Sequence, residues 1–503
     1  MILNLKAVIA TLGALLFFLG IALLAPMGVG LIYGEAAWWS FGATALLSMG
    51  IGGAAWYFNG RTQQDLRVRE GFAIVALAWF VLSLMGGVPF VLGGVLESFT
   101  DAFFETMSGF TTTGATILGG ADTPAIEDLP HAFLFWRSLA HWLGGMGIIV
   151  LTLAIMPILG VGGMQLFKAE VPGPSADKLT PRIRETAKRL WLIYVGITVI
   201  EILLLLPAMS LFDAVNHAFA TMATGGFSTQ NGSVADFNSA YIDWVITVFM
   251  FLAGVNFALH YRLLRGRTIT VFRDTEFKVY TGITIAATLL ITLGTWQPVA
   301  NVLLRAENIQ GVFEGYASFG EALRYGAFQA TAIITTTGFG TADYEVWPPL
   351  AVMTIFLLFF VGGMAGSTGG GVKVVRHVLV FKNSFKEIKQ LIHPQAMLPI
   401  RLNGQVVSQD VMRNVLSFIV LYIAAITIGT ALMAFLGLDL LSAIGASISS
   451  VGNIGPAFGT LGPTENYAHI PAVGKWVLSI LMMAGRLEIF TVLILFVPAF
   501  WRR

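Results

Sequence analysis

The chain has 503 residues, of which 56% are hydrophobic and only 11% are charged, and its formal net charge is +1. Soluble domains carry about 25% charged residues, so this composition excludes a soluble protein and indicates an integral membrane protein. The near-zero net charge gives no reason to expect a nucleic acid partner. The sequence has no cysteine, which excludes disulfides and thiolate metal sites.

Apolar runs of about 20 residues or more predict ten membrane-spanning helices. These runs lie near residues 5–33, 36–58, 71–94, 132–160, 187–211, 241–262, 276–297, 348–372, 408–436 and 474–501. Lysine and arginine concentrate in alternate loops, including the segment 168–189, and this bias predicts that both termini are cytoplasmic. The first run is too long for a cleavable signal and is predicted to be a retained span.

A short strip of small and hydroxyl residues recurs four times between pairs of spans. The strips are Thr112-Thr113-Gly114, Thr224-Gly225-Gly226, Thr336-Thr337-Gly338 and, more loosely, Val451-Gly452-Asn453. Their central glycines, at 114, 226, 338 and 452, follow a near-constant period, which indicates repeated architecture. We therefore predict two extra N-terminal helices in 1–65 and four repeats in 66–180, 181–270, 271–400 and 401–503. The alternative is four ordinary Thr-Gly turns, which the regular period disfavours.

Each strip follows a segment that is too short to cross a membrane. Asp101, Asp213 and Asp439 stand at a fixed distance before the central glycines, and Asp suits a helix N-cap. Ser318 and Glu321 have the spacing of a capping box in the third repeat. The predicted short helices would point the negative ends of their dipoles at a cation. Four strips around one axis would offer it a ring of carbonyl oxygens in place of its hydration shell.

A second cluster of glycines interrupts the eighth predicted span. It comprises Gly362, Gly363, Gly366, Gly369, Gly370 and Gly371. Each glycine costs a helix about 1 kcal/mol relative to alanine, so we predict a broken helix whose loop obstructs the ion path. Close helix packing is the alternative explanation. Lys373 follows this loop and is a candidate to transmit a pull from the cytoplasmic side.

Arg486 lies in the last apolar run, near the middle of the membrane. A charge at that depth costs roughly 2.5–3.5 kcal/mol on insertion scales and indicates a functional position. The alternative is an internal ion pair with Glu488 or Glu201.

These motifs together resemble the Trk/Ktr/HKT superfamily of cation transporters, and within it the bacterial TrkH branch. The resemblance implies an all-α membrane protein with four span–pore helix–span units around one pore and pseudo-fourfold symmetry. It also implies that the four strips form a K⁺ selectivity filter, that the glycine cluster is an intramembrane gating loop, and that Arg486 faces the pore. A serine at the first filter glycine accompanies Na⁺ selectivity in plant relatives, so Gly114 favours K⁺.

By the same resemblance, the chain is expected to take up K⁺ across the bacterial cytoplasmic (inner) membrane. A Na⁺ or mixed-cation transporter of the same fold is the alternative. The expected partners are a second copy in a homodimer and a cytoplasmic nucleotide-binding ring of the TrkA type. The sequence contains no nucleotide-binding motif, so no nucleotide is expected to bind this chain. Its expected ligand is K⁺, the transported ion. An intramembrane enzyme is the rival class, and no paired carboxylates or histidine cluster in the sequence favour it.

Overall fold

The computed structural model describes residues 4–60, 68–120, 123–147, 183–300, 313 and 315–501. This part of the chain is predominantly helical, as predicted. The helices are α1 (Leu5–Ile32), α2 (Trp38–Asn59), α3 (Val68–Leu92), α4 (Phe99–Phe110), α5 (His131–Trp142), α6 (Ile183–Leu205), α7 (Leu211–Ala223), α8 (Ala240–Ala253), α9 (Phe257–Leu264), α10 (Thr268–Arg273), α11 (Thr275–Thr295), α12 (Phe319–Ile334), α13 (Pro349–Leu358), α14 (Val374–Ile392), α15 (Gln409–Phe435), α16 (Leu440–Gly452), α17 (Ala472–Arg486), α18 (Phe490–Leu493) and α19 (Pro498–Trp501). A hairpin that the sequence did not predict joins β1 (Arg401–Leu402) to β2 (Gln405–Val406).

Several helices are long and apolar enough to cross a membrane. Among the described residues these are Leu5–Ile32, Arg69–Leu92, Thr275–Thr295 and Gln409–Phe435. Two bent pairs, α8 with α9 and α17 with α18, raise the number to six if each pair is one span. The helices overlap all ten predicted spans. The later part of the predicted span 132–160 and most of the basic segment 168–189 lie outside the described residues.

The two N-terminal helices α1 and α2 form a tightly packed antiparallel pair. A Cβ added to Gly13 would lie 2.7 Å from the carbonyl oxygen of Gly52, so the two backbones touch where neither residue has a side chain. Small residues allow such close approach in membrane helices, where packing rather than water exclusion stabilises contacts. The pair contacts α3, and α1 also contacts α5, which attaches it to the rest of the molecule.

Four short helices, α4, α7, α12 and α16, are enclosed by the longer ones. Each contacts the long helix that precedes it: α3, α6, α11 and α15 respectively. The aromatic side chains of Phe104, Phe110 and Trp136, on α4 and α5, are fully buried and form part of the largest hydrophobic core. The short helices therefore lie inside the bundle, where their non-helical ends are protected from lipid.

The caps of the short helices differ in part from the prediction. Asp439 is the N-cap of α16 and accepts from the backbone N–H groups of Leu441 (3.0 Å) and Ser442 (3.1 Å). Asp101 and Asp213 are not N-caps, because α4 and α7 begin after Ser98 and Ser210 and the two aspartates lie in the first turn. The Ser210 hydroxyl already caps Asp213 N–H at 3.0 Å, which moves the start of that helix three residues earlier.

The predicted N-cap of the third short helix is confirmed. The Ser318 hydroxyl accepts from the Glu321 N–H at 3.0 Å at the start of α12. This hydrogen bond satisfies one of the backbone donors that a helix leaves free at its N-terminus.

Three helices that follow a short helix also contact the next short helix, in cyclic order along the chain. Helix α5 contacts the next short helix α7, α8 contacts α12, and α17 at the end of the chain contacts α4 near its beginning. The last contact brings residues more than 350 positions apart together, as in the hydrogen bond from Lys475 to Asp101 at 2.6 Å. The ends of the four short helices consequently converge on one region of the bundle.

Candidate functional site

The same backbone turn follows each of the four short helices. Its first residue has a positive φ although it is not glycine: Thr112 (53°), Thr224 (56°), Thr336 (61°) and Asn453 (54°). Two residues later comes a glycine with a positive φ: Gly114 (79°), Gly226 (81°), Gly338 (74°) and Gly455 (100°). Threonine rarely adopts this conformation, so its recurrence at three equivalent positions indicates a constrained site.

The fourth turn corrects the prediction from sequence. Gly452 is the last residue of α16, whereas Gly455 takes the conformation of Gly114. The prediction that Gly452 is the fourth equivalent glycine is therefore wrong, and the fourth strip is 453–455. Asn453 takes the place that Thr112 has in the first turn, because asparagine tolerates a positive φ better than most residues.

The four glycines pack against one another in a closed cycle. A Cβ on each glycine would collide with the carbonyl oxygen of the residue just before the next glycine in the cycle. The pairs are Gly114 with Gly225, Gly226 with Thr337, Gly338 with Ile454, and Gly455 with Thr113, the last at 2.7 Å. Only glycine fits such close backbone contacts. The strips therefore surround one centre, with backbone carbonyls at every contact between them.

Hydroxyl and amide side chains hold the strips in place. The hydroxyls of Thr111 and Thr113 are 2.8 Å apart, and those of Thr335 and Thr337 are also 2.8 Å apart. The Asn453 amide donates to the Thr113 hydroxyl at 3.0 Å, which joins the fourth strip to the first. These hydrogen bonds join the side chains of the strips to one another.

A buried ion pair behind the first two strips was missed by the sequence reasoning. The Arg137 Nε donates to the Glu105 carboxylate at 2.9 Å, and both side chains are at most 2% exposed. Glu105 also accepts from Thr116 Oγ1 (3.0 Å) and from Ile117 N–H (3.1 Å), which follow the first strip. Arg137 donates to the carbonyl of Ser228, which follows the second strip, at 3.1 Å. The pair therefore connects α4, α5 and both strips.

Two histidines support the second strip. His141 donates from Nδ1 to the Gly109 carbonyl at 2.8 Å, and its Nε2 accepts from Phe227 N–H at 3.3 Å. His217 Nε2 lies 3.0 Å from the Ser228 hydroxyl. Their partners are backbone and hydroxyl groups, and within the described ranges no group of three or more His, Asp or Glu side chains is arranged to hold a metal ion.

The glycine loop, residues 362–371, is non-helical and separates α13 from α14. Its two limbs are paired, since Gly362 N–H donates to the Val372 carbonyl (2.8 Å) and Val374 N–H donates to the Gly363 carbonyl (3.1 Å). Gly366 and Gly371 have positive φ, at 75° and 64°.

The second limb of the loop lies against the ends of two short helices. Gly370 N–H donates to the Thr336 hydroxyl at 2.6 Å. A Cβ on Gly369 would lie 2.7 Å from the Thr335 carbonyl oxygen, and one on Gly370 would lie 2.5 Å from that of Gly452. The structure thus brings the glycine loop directly next to the third and fourth strips.

Arg486 reaches both the glycine loop and the first unit. Its guanidinium donates to the carbonyls of Thr368 (2.7 Å), Gly144 (2.8 Å) and Gly145 (3.0 Å). Lys373 donates to the Gly369 carbonyl within the loop. Glu488, the partner expected if Arg486 were part of an internal ion pair, accepts from Arg376 on α14.

The helices that follow the other three strips are also interrupted near glycine. Helix α5 continues into a π-helical segment at Leu143–Gly147, α8 and α9 meet at 99° next to Gly254, and α17 and α18 meet at 118° after Gly485. A Cβ on Gly144 would collide with the Phe110 carbonyl oxygen, and one on Gly485 with that of Val451. Each break therefore packs against the end of a short helix.

Comparisons with known proteins agree with this architecture. The family described as TrkH, cation transport protein, matches residues 40–503. The Trk system potassium uptake protein TrkH of Salmonella typhimurium is 41% identical over 99% of both chains, and that of Escherichia coli K12 is 40% identical over 99% of both. The crystal structure of the potassium transporter TrkH from Vibrio parahaemolyticus matches with a TM-score of 0.84 and 36% identity, covering 99% of this chain and 100% of that one. The chain belongs to the TrkH family of cation transport proteins.

Proposed function

We propose that this chain is the ion-conducting subunit of a potassium uptake system. The observation that carries the proposal is the closed cycle of contacts among Gly114, Gly226, Gly338 and Gly455, with a backbone carbonyl at each contact. A ring of carbonyl oxygens can replace the hydration shell of a dehydrated cation. Relatives at 40–41% identity are potassium uptake proteins by name, and the family is one of cation transporters rather than enzymes.

The proposed architecture is four span–pore helix–span units with pseudo-fourfold symmetry. The units are the repeats 66–180, 181–270, 271–400 and 401–503, with the two extra helices in 1–65. The short helices α4, α7, α12 and α16 would be the pore helices. Support comes from the turn that recurs after each of them and from contacts that lead from the last unit back to the first.

The K⁺ filter is assigned to the four strips. It comprises Thr112, Thr113, Gly114, Thr224, Gly225, Gly226, Thr336, Thr337, Gly338, Asn453, Ile454 and Gly455. Val451 and Gly452, which the sequence placed in the fourth strip, are the last two residues of α16. The carbonyls of Thr113, Gly225, Thr337 and Ile454 are the strongest candidates for K⁺ ligands, because each lies at a contact between neighbouring strips. Gly452 is then a residue of the pore helix that packs beside the filter.

The gate is assigned to the glycine loop with Arg486 and Lys373. A guanidinium near the ion path would repel K⁺, and two unit charges 4 Å apart interact by about 4 kcal/mol at an effective dielectric of 20. Arginine stays charged at any physiological pH, so the barrier must be lowered by movement. Because Arg486 donates to the Thr368 carbonyl, movement of the loop would also release Arg486.

The remaining assignments concern the surroundings of the chain. We place it in the bacterial cytoplasmic (inner) membrane with both termini cytoplasmic, as a homodimer that binds a nucleotide-binding ring of the TrkA type. The support is the lysine and arginine bias of the loops and the names of the relatives as parts of a Trk system. Co-purification from native membranes that recovers no nucleotide-binding protein would count against this partner.

The test of the function is ion flux into liposomes that contain the purified full-length chain. We expect ⁸⁶Rb⁺ uptake that external K⁺ competes with and external Na⁺ does not. Equal competition by Na⁺ would favour the alternative, a Na⁺ or mixed-cation transporter. Gly114→Ser should admit Na⁺, because a side chain there would displace the Gly225 carbonyl.

A further inference from the structure

One carboxylate outside the assigned gate holds both limbs of the glycine loop. Glu276, in the first turn of α11, is only 7% exposed. Its Oε1 accepts from Ala365 N–H at 2.7 Å, inside the loop, and from Val375 N–H at 3.0 Å, just after it. We call these three residues the loop clamp.

The start of α11 is in turn held by the exposed hairpin β1–β2. The Asn403 amide nitrogen donates to the Asp274 carboxylate at 2.7 Å, and its amide oxygen accepts from Thr275 N–H at 2.9 Å. Asp274 is also the N-cap of α11, because its other oxygen accepts from Phe277 N–H at 2.9 Å. The hairpin is thus hydrogen-bonded to the two residues that directly precede Glu276.

The turn of the hairpin has a sequence suited to this geometry. Asn403 and Gly404 have φ values of 49° and 82°. A two-residue hairpin turn with both central φ values positive is the one that Asn-Gly favours. Through the contacts of Asn403, a displacement of the hairpin would reach the start of α11.

The hairpin and the glycine loop share one apolar cluster. Ile400, Leu402 and Val407 pack against the cluster that contains the buried Val375, and Ala365 of the loop packs against the same cluster. On the outside, Arg401, Gln405 and Val406 are exposed. The hairpin therefore has one face on the loop clamp and one face open to a partner.

We propose that Glu276 is the positioning residue that keeps the glycine loop closed, and that displacement of the hairpin through Asn403 releases it. This inference rests on the proposed gating function of the loop and assigns its control to residues outside it. A force on the exposed face of the hairpin would move Asp274 and Thr275, and Glu276 would move with them. The loop would then lose hydrogen bonds on both limbs at once.

The first experiment measures K⁺ flux through Glu276→Ala and Glu276→Gln in liposomes that contain no partner protein. We expect flux to rise roughly tenfold in Glu276→Ala, since loss of the carboxyl group removes two hydrogen bonds from the closed state. Glu276→Gln keeps an acceptor oxygen, so its flux should rise less than that of Glu276→Ala. Asp410→Asn is the matched control, because Asp410 is an exposed carboxylate that pairs with Arg413.

The second experiment uses Asn403→Gly, which keeps the positive φ of the turn and removes only the amide contacts with α11. We expect it to raise partner-free flux in the same direction as Glu276→Ala. The flux of the double variant should exceed that of Glu276→Ala only slightly, because the effects of two substitutions that act on the same structural element do not add. As Asn403 is exposed, this variant decides the question even if the Glu276 variants fail to fold.

Unchanged or lower flux in Asn403→Gly, or in folded Glu276→Ala, would overturn the proposal. A variant with a shortened glycine loop separates this failure from failure of the gate itself. If shortening raises flux but the two substitutions do not, the loop is a gate without this clamp. If the parent carries no K⁺ under any condition, the proposed function itself fails.

Discussion

A pair of glycine substitutions distinguishes the two assignments of the fourth strip. Gly455 has a φ of 100°, and a Cβ there would lie 2.7 Å from the Thr113 carbonyl oxygen. Gly452 is helical, and a Cβ there would meet the Ile454 side chain at 2.9 Å and the Tyr422 hydroxyl at 3.4 Å. Gly455→Ala therefore disturbs backbone of the ring, whereas Gly452→Ala disturbs the flexible end of a side chain.

The expected magnitudes differ accordingly. A residue forced into a sparsely populated backbone region costs about 1–3 kcal/mol, so Gly455→Ala must be strained or must shift its strip. A shift displaces the Thr113 carbonyl, and each 1.4 kcal/mol of lost K⁺ binding is roughly a tenfold loss of affinity. Gly452→Ala gains up to about 1 kcal/mol of helix propensity, which offsets the rearrangement of Ile454.

The assay is ⁸⁶Rb⁺ uptake into liposomes, with K⁺ and Na⁺ as competitors. Gly455→Ala should lose discrimination between K⁺ and Na⁺ by roughly tenfold or more, whereas Gly452→Ala should stay within about threefold of the parent. Both proteins should be monodisperse in detergent before reconstitution. Loss of selectivity in Gly452→Ala with an unaffected Gly455→Ala would refute the assignment of the ring.

Three further substitutions test other parts of the account. Arg486→Ala should raise K⁺ flux in partner-free liposomes, because it removes a fixed positive charge that would repel K⁺; no increase would mean that the barrier lies elsewhere. Glu105→Gln should lower both thermal stability and K⁺/Na⁺ selectivity, since removing one partner of a buried ion pair costs about 3–5 kcal/mol. Partial burial raises the pKa of Glu345, which lies in the loop between α12 and α13 and accepts from Gly459 N–H at 2.7 Å. Glu345 therefore loses its charge at a higher pH than an ordinary glutamate, and uptake from low external K⁺ should fall as the outside is acidified, but less in Glu345→Gln.

The recurring strips and the glycine loop could be predicted because their signals are local and repeated. Three strips at an identical spacing and six glycines in ten residues stand out in one sequence without any structure. The fourth strip was misplaced because the prediction aligned Gly452 with the central glycines of the other strips. In the structure, the backbone conformation of the turn shows that Gly455 is the equivalent glycine and that Asn453 occupies the place of a threonine.

The supports of the site could not be predicted, because they join residues that are far apart in the chain. Glu105 and Arg137 are ordinary charged residues in sequence, and only the packing of α4 against α5 makes them a buried pair. Asn403 and Asp274 are separated by 129 positions. The prediction that Asp101 and Asp213 are N-caps was wrong for a more local reason. Serines three residues before them are the N-caps, so both helices begin earlier.

The most direct test of the central claim is to locate the ion. Crystals of the chain grown with Rb⁺ in place of K⁺ would show its anomalous scattering. We expect a Rb⁺ peak at the centre of the ring formed by Gly114, Gly226, Gly338 and Gly455, which K⁺ displaces and Na⁺ at equal concentration does not. A well-ordered ring without a peak, or a K⁺-competed peak only at some other place, would contradict it.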